Sequence, residues 1–266
     1  QSYFVSKTNA NFPQNGKLFN LPTIQGVIVI ADATNGKLLA LTDSIEITIL
    51  RTGAATAVAA KYLAKASSST AAIIGCGNQG RVTIKMLSSI IPLQRISVYD
   101  NDRAVAERLA ADLNSEMPSV EVAENVEQAV NEKDVVVTCT PSKKPVLQPE
   151  WISQGTFIAA VGSDNEDKQE LETSFFRNSK IVTDLTVQAA KIGELHHAIE
   201  EGVIGVEHVY AELGEIICGK KNGRESNDEI IIFDSTGMAL QDVATSVIVY
   251  EKARQEKNRR VIDFMD

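Results

Sequence analysis

The chain has 266 residues, 44% of them hydrophobic and 23% charged, which is enough to bury a substantial core in one large domain or two ordinary ones. Its net charge of −9 repels a phosphate backbone and argues against nucleic acid as a partner; a dinucleotide pyrophosphate, held by backbone N–H groups rather than by net charge, remains compatible. No apolar run approaches the ~18 residues of a membrane span and no signal peptide is read in it, so no membrane partner and a cytoplasmic location are expected.

The chain opens at Gln1, in what reads as the middle of a domain, and an N-terminal segment is expected to precede it. Tyr3-Phe-Val-Ser-Lys7 is strand-like. Val27–Ile30 and Lys37–Leu41 are apolar runs joined by Asp32-Ala-Thr-Asn-Gly36, a hairpin connection. Asp43 offers an N-cap with Glu46 at N3, and an Ala-rich helix is predicted from Ile47 to about Ala66, interrupted at Gly53. Ser67-Ser-Ser-Thr70 is a polar break and the most natural domain boundary.

Beyond it, short apolar runs at 71–75, 95–100, 119–123, 134–139, 156–161 and 180–184 are predicted strands, with a further one at 229–234. Amphipathic stretches near 79–90, 103–113 and 125–131 separate the first four. That alternation predicts an α/β fold, a doubly wound parallel sheet of Rossmann type. A last helix is predicted from Met238 to about Glu256, with a basic end at Lys257, Arg259 and Arg260. The boundaries that follow are 67–232 for the Rossmann domain, and 1–66 with 233–266 for a smaller domain built from both chain ends.

Gly75-Cys-Gly77-Asn78-Gln79-Gly80 follows the first parallel strand and opens a helix, which is the context a dinucleotide fingerprint requires. Gly75 permits the tight turn, Gly77 lets the backbone approach a pyrophosphate, and Gly80 lets helix and strand pack closely. Asp100, twenty residues past Gly80 at the end of the next strand, is placed to bind both ribose hydroxyls and to repel a 2′-phosphate. NAD is therefore expected as cofactor. Thr138-Cys-Thr140-Pro141-Ser142 ends the fourth strand at the edge where ligands sit, and its hydroxyls are candidates for the ribose or nicotinamide.

Asp164, just past the 156–161 strand, stands either as a proton acceptor and donor beside a nicotinamide or as a solvated acid in an acidic loop. Arg51, inside an apolar helix, calls for an anion: a substrate carboxylate, the cofactor, or a structural Asp or Glu. Lys7, between Ser6 and Thr8, is read as facing solvent. His196 and His197, adjacent on a helix, point about 100° apart and suit a shared metal poorly. Cys76, Cys139 and Cys218 lack metal or disulfide spacing, and no metal is assigned.

Taken together, Leu21-Pro-Thr23, Leu50-Arg-Thr-Gly-Ala-Ala55, Ala60–Ala64, the glycine turn, Val161-Gly-Ser-Asp164 and Phe233-Asp-Ser-Thr-Gly-Met-Ala-Leu-Gln-Asp242 resemble the ornithine cyclodeaminase/mu-crystallin family over essentially the whole chain. That family includes archaeal-type alanine dehydrogenases and ketimine reductases. The resemblance implies a homodimer, with the chain-end domain serving substrate binding and dimerisation. It implies that Lys7 and Arg51 bind a substrate carboxylate, that Asp164 is catalytic, and that Thr236 lies against substrate. Cofactor contacts are implied at Thr23, Arg51, Asn78, Gln79, Asp100, Thr140, the Val161-Gly162-Ser163 run, Lys168 and Ser235, with Thr138 and Pro141 in the adjoining loop. The implied activity is ornithine cyclodeaminase-like amine/imine chemistry at Cα; the alternatives are an alanine dehydrogenase, a reductase of a cyclic ketimine such as pyrroline-2-carboxylate, or a non-catalytic NAD(P)H-binding protein like mu-crystallin. Ser163, where ornithine cyclodeaminases tend to carry glycine, weighs against ornithine itself.

Overall fold

The computed structural model describes residues 2–12, 14–117 and 119–256; the basic end expected at Lys257, Arg259 and Arg260 lies outside them. The chain separates into two compact units, one running to Arg51 and resuming at Ala239, the other spanning Thr52–Met238. The polar run 67–70 thus falls inside the second unit.

The first unit begins with β1 (Tyr3–Asn11), α1 (Asn15–Phe19), β2 (Ile24–Asp32) and β3 (Leu38–Asp43). The strands form an antiparallel sheet in the order β1-β2-β3. Val5 faces Ile30 and Lys7 faces Ile28 across the ladder, so all four side chains share one face. Ile28 and Ile30 are fully buried there against Ile47, Val249 and Tyr250. The opposite face leaves Phe4, Val27 and Leu41 exposed.

Asp43 accepts the Ile45 N–H and starts α2 (Ser44–Leu63), whose residues are divided between the two units. The break expected at Gly53 does not occur; α2 runs through it unbroken. A Cβ on Gly53 would lie 3.2 Å from Met86 Sδ and Val82 Cγ1, so the missing side chain serves close packing against the next helix.

The second unit alternates β4 (Thr70–Ile74), α3 (Asn78–Ser88), β5 (Arg95–Tyr99), α4 (Arg103–Asn114), β6 (Val120–Val122), α5 (Val126–Val130) and β7 (Val135–Thr138). It continues through β8 (Lys143–Leu147), β9 (Phe157–Ala160), β10 (Gln169–Leu171), α6 (Phe175–Asn178), β11 (Lys180–Thr183), α7 (Thr186–Ile192) and α8 (Glu194–Glu200). It ends with β12 (Val209–Glu212), α9 (Leu213–Ile217) and β13 (Ile231–Asp234), after which α10 (Ala239–Ala253) belongs to the first unit.

Eight strands pair in parallel in the order β12-β11-β13-β9-β7-β4-β5-β6, and β8 and β10 make a small parallel sheet of their own. The seven strands read from apolar runs all form close to their expected bounds, whereas β8, β10 and β12 were not read. Central strands are buried on both faces, and the period of two divides them cleanly. Ala71, Ile73, Val135, Val137 and Phe157 join Leu63, Ile84, Leu87 and Leu109 on one side. Ala72, Ile74, Val136 and Ile158 meet Ala129, Phe175, Phe176 and Leu195 on the other. Strand order reverses between β4 and β7, and the crevice beyond the carboxyl ends of those strands is where such sheets bind ligands.

The opposite, amino edge of the sheet is closed by Asp134. Its carboxylate accepts the Ser69 N–H (2.9 Å), the Thr70 N–H (3.1 Å) and the Thr70 hydroxyl (3.0 Å), and Lys65 Nζ lies 3.0 Å away. Burial pushes this carboxyl up, but the Ser69 amide, Lys65 and Thr70 together hold it below its ordinary value. A lowered folded pKa gives stability that is present above the unfolded value near 3.9 and is lost as pH falls through the folded pKa. Asp134→Asn should therefore cost about 1–3 kcal/mol in urea melts at neutral pH, and the gap from wild type should close as pH falls through the carboxylate range.

Candidate active site

The glycine turn bridges β4 and α3. Gly75 has φ +102°, donates its N–H to Tyr99 O, and has no room for a Cβ, which would lie 2.8 Å from Cys139 O. A Cβ on Gly80 would lie 2.2 Å from Gly75 O, so helix and strand touch there. Gly77 differs: nothing lies within 4 Å of the position its Cβ would take, so no neighbour in the chain demands glycine. The space lies at the start of an 11-residue helix with no acid in its first turn, a place where backbone N–H groups favour an anion.

Asp100 lies beside this turn at the end of β5. One carboxylate oxygen accepts the Cys76 N–H (2.9 Å), and the other accepts the Asp102 N–H (3.0 Å). These bonds orient the carboxylate at the lip of the turn. Gln79 Nε2 donates to Thr83 Oγ1 and Asn78 is exposed. Cys76 is buried within the turn and its thiol is pushed up to about 12, by burial first and then by Asp100, so it is inert.

Three loops at the carboxyl edge, after β7, β9 and β13, carry the other expected residues of this unit. Thr138 differs from expectation: it is fully buried, and its hydroxyl donates to Glu170 Oε2 (2.8 Å) rather than facing the crevice. Thr140 and Pro141 lie further out, and the Thr140 hydroxyl accepts the Ser142 N–H. Val161 donates its N–H to Thr138 O, tying the loop after β9 to the end of β7. The hydroxyl of Ser163 is likewise turned inward, toward Lys168 O (2.8 Å) and Ile192 O (3.3 Å).

Asp164 is exposed and pairs with Lys168 Nζ at 2.7 Å. Ser235, beyond β13, donates its N–H to Ala160 O, and its buried hydroxyl has no partner among the described residues, so it is available to a ligand at this edge. Thr236 is engaged on both sides: its hydroxyl donates to Asp184 (2.9 Å) and accepts from Gln188 Nε2 (2.9 Å).

In the first unit, Lys7 is not turned to solvent. The register that pairs it with Ile28 directs it to the packed face, where Nζ donates to Thr48 Oγ1 (2.7 Å) and Asp242 Oδ1 (3.0 Å). Arg51 Nε lies 3.4 Å from the same Asp242 oxygen, and its Nη1 donates to Gln241 Oε1 (3.2 Å). Burial lowers the Lys7 pKa and outweighs Asp242, and Arg51 lowers it further. Two cations thus converge on one carboxylate. Thr23 is exposed in the same unit, its carbonyl accepting the Phe12 N–H.

The sequence reading missed the framework beneath the loops. Glu170, fully buried on β10, accepts from Thr138 Oγ1, Thr140 N (2.5 Å) and Gly162 N (2.9 Å). Glu194, opening α8, accepts the N–H groups of Glu170 (2.8 Å) and Leu171 (2.9 Å). Asp234, at the end of β13, accepts the Leu195 N–H (2.8 Å). Burial pushes all three carboxyls up. Nothing in a lone Glu between Gln169 and Leu171 signals this role. His196, His197 and Glu200 bring ligand atoms within 4.8 Å of one another, closer than their spacing suggests, and His197 Nε2 lies 2.7 Å from Lys168 O.

A doubly wound sheet with this turn and an acid ending its second strand defines a dinucleotide-binding protein. The chain belongs to the ornithine cyclodeaminase/mu-crystallin family, whose model matches residues 2–257. The alanine dehydrogenase of Archaeoglobus fulgidus is 43% identical over 235 residues, 88% of this chain and 72% of that protein. A solved archaeal alanine dehydrogenase dimer with bound NAD superposes with a TM-score of 0.94 at 40% identity, covering 98% of this chain and 81% of its own. The Thermococcus litoralis Δ1-pyrroline-2-carboxylate reductase, solved with NADH and L-proline, gives 0.91 at 34% identity, over 94% and 78%.

Asp234 carries a pH signature. Burial, opposed by the Leu195 amide and reinforced by Asp184, raises its carboxyl to about 7. A raised folded pKa means that ionisation destabilises the fold: stability contributed by the protonated form is full below about 4 and is lost as pH rises toward about 7. Unfolding free energies measured from pH 4 to 8 should contain this falling component in wild type, and Asp234→Asn should lack it.

Proposed function

We propose that the protein is an NAD-dependent enzyme of amine/imine chemistry, acting at Cα of a small amino acid or of the corresponding imine. The observation that carries this reading is the glycine turn, where Gly75 and Gly80 are required by their neighbours while Gly77 opens onto free space beside Asp100. Bound NAD would supply a hydride acceptor or donor for the substrate Cα. Gly75, Gly77, Asn78 and the start of α3 would hold the pyrophosphate, Asp100 the adenosine ribose, and Ser235 with the loops after β7 and β9 the nicotinamide end. Gln79, Val161, Lys168 and Thr23 are proposed contacts of the same cofactor.

Lys7 and Arg51 would bind the substrate carboxylate, because two cations gathered on Asp242 offer donors of the right charge at little cost in rearrangement. Asp164 would take the proton released at the substrate nitrogen as amine becomes imine, and return it in the reverse direction. Its neighbour Lys168 pairs with it at 2.7 Å and holds it at the loop. Water attacking the imine gives a 2-oxo acid and ammonia, a terminal amine of the substrate attacking the same carbon expels ammonia and closes a cyclic imine, and a cyclic ketimine is reduced by the reverse hydride transfer with uptake of a proton. Relatives named for alanine and pyrroline-2-carboxylate favour the first and last of these. A cytoplasmic homodimer is part of the proposal. The exposed Phe4, Val27 and Leu41 on one face of the β1–β3 sheet supply an apolar surface, and the archaeal neighbour is a dimer.

NADH oxidation with pyruvate plus ammonia and with pyrroline-2-carboxylate, and NAD reduction with alanine, proline and ornithine, test the activity. NADH binding without turnover of any of them would instead identify a binding protein. Asp164→Asn should lower kcat about 10²–10⁴-fold with NADH affinity unchanged. Asp100→Ser should weaken NADH about tenfold and narrow its preference over NADPH, since a carboxylate facing a 2′-phosphate is removed.

A further inference from the structure

The proposed function leaves Glu170 unused. It touches no open surface, and its partners include the Thr138 hydroxyl and two backbone amides. A buried carboxylate is a poor way to gain stability, because desolvation opposes the ion and an apolar side chain of similar volume would pack as well. A carboxylate can instead hold donors from separate segments at fixed positions, and that is the arrangement here. Oε1 takes the Thr140 N–H, while Oε2 takes the Thr138 hydroxyl and the Gly162 N–H. One side chain therefore joins the loop after β7 to the loop after β9.

The fit leaves no slack. A Cβ on Gly162 would lie 2.5 Å from Glu170 Oε2 and 2.4 Å from Thr140 O, so the two loops and the carboxylate meet at a point where only glycine is accommodated. The first loop also reaches the glycine turn, since a Cβ on Gly75 would lie 2.8 Å from Cys139 O and 3.1 Å from Thr140 Cγ2. The second loop leads in two residues to Asp164. Glu170 is itself fixed, because the Glu194 carboxylate holds the N–H groups of Glu170 and Leu171.

We propose that Glu170 is a positioning residue for the nicotinamide end of the cofactor: by clamping Thr138, Thr140 and Gly162 it sets the loops that flank the reacting carbon and carry Asp164. This rests on the NAD-site reading given above. The turn at Gly75–Gly80 and Asp100 make no bond to Glu170, which reaches them only through the contact of the first loop with Gly75.

The test compares NADH with ADP-ribose, which lacks the nicotinamide, in direct binding measurements on Glu170→Gln. Glutamine must set an NH2 group against either the Thr140 donor or the pair of donors on the other side. NADH affinity should fall on the order of tenfold or more, while ADP-ribose affinity changes by about twofold or less, because small misplacements near a reacting group are costly and the adenosine side is untouched. Gly162→Ala, which pushes the same carboxylate away, should give the same selective loss should Glu170→Gln fold poorly.

Asp134→Asn is the control for stability, because Asp134 also collects three donors but at the far edge of the sheet; it should shift neither ligand. Equal weakening of both ligands by Glu170→Gln and Gly162→Ala would mean a merely structural group and overturn the proposal, as would an unchanged ratio in both. Wild-type protein that binds ADP-ribose and NADH equally would overturn it as well, and wild-type protein that binds neither would overturn the cofactor reading with it. These readouts need no amino-acid substrate, so failure of the proposed reaction leaves them interpretable.

Discussion

At the carboxyl edge of the large sheet, loops are held by buried carboxylates that accept backbone N–H groups. A parallel strand that stops leaves the following amides without ladder partners, and a buried amide left unpaired is costly. Asp234 serves Leu195, Glu194 serves Glu170 and Leu171, Glu170 serves Thr140 and Gly162, and Asp184 serves Gly237. Each acid sits on one element and holds the next, so the ends of β7, β9, β10 and β13 and the start of α8 are joined without any regular structure between them. Desolvation, which raises three of these carboxyls, is the cost of that rigidity. The glycines at 162 and 193 belong to the same device, since a side chain at either would strike the carboxylate it faces.

The glycine turn shows how internal and external constraints can be told apart within one motif. Gly75 and Gly80 are dictated by the chain itself, through a positive φ and a backbone contact that no Cβ could share. Gly77 is dictated by nothing in the chain, which is compatible with the proposed close approach of the cofactor to the backbone. The same logic separates the hydroxyls of the site. Those of Thr138, Ser163 and Thr236 are spent on internal partners, and that of Ser235 is not.

What could be read from the residues was whatever one segment determines by itself. Thr70–Ile74, Val135–Thr138 and Phe157–Ala160 are continuous apolar runs because both faces are covered, and such runs stand out as buried parallel strands. The spacing from Gly75 to Asp100 was legible because turn, helix and second strand have narrow length limits. Lys7 was not legible: its burial depends on the register against β2 and on Asp242, which is 235 residues away. Glu170 was hidden for a similar reason. β10 is three residues long, too short for a periodic signal, and every partner of its carboxylate comes from elsewhere in the chain. Gly53 misled because a helix interior usually disfavours glycine, and here helix packing overrides that preference.

A chain of net charge −9 that is proposed to hold an anionic cofactor and an anionic substrate faces opposing electrostatics, and the two units would meet it differently. In the sheet unit the proposed pyrophosphate site would rely on oriented backbone amides and the start of α3, and net charge counts little against dipoles at contact distance. Asp100 can then sit beside that cradle as a selective repulsion, tolerable for a ribose hydroxyl and not for a phosphate. In the other unit the proposed attraction is ionic. Lys7 and Arg51 would repel one another if left together, and Asp242 between them offsets that repulsion and fixes their distance. An arriving carboxylate would join an arrangement already ordered around one anion, so the entropy of organising two long side chains is met in folding rather than in binding. Dipoles thus suit a cofactor recognised along its length, and a preset pair of cations suits a small substrate with a single charge to offer.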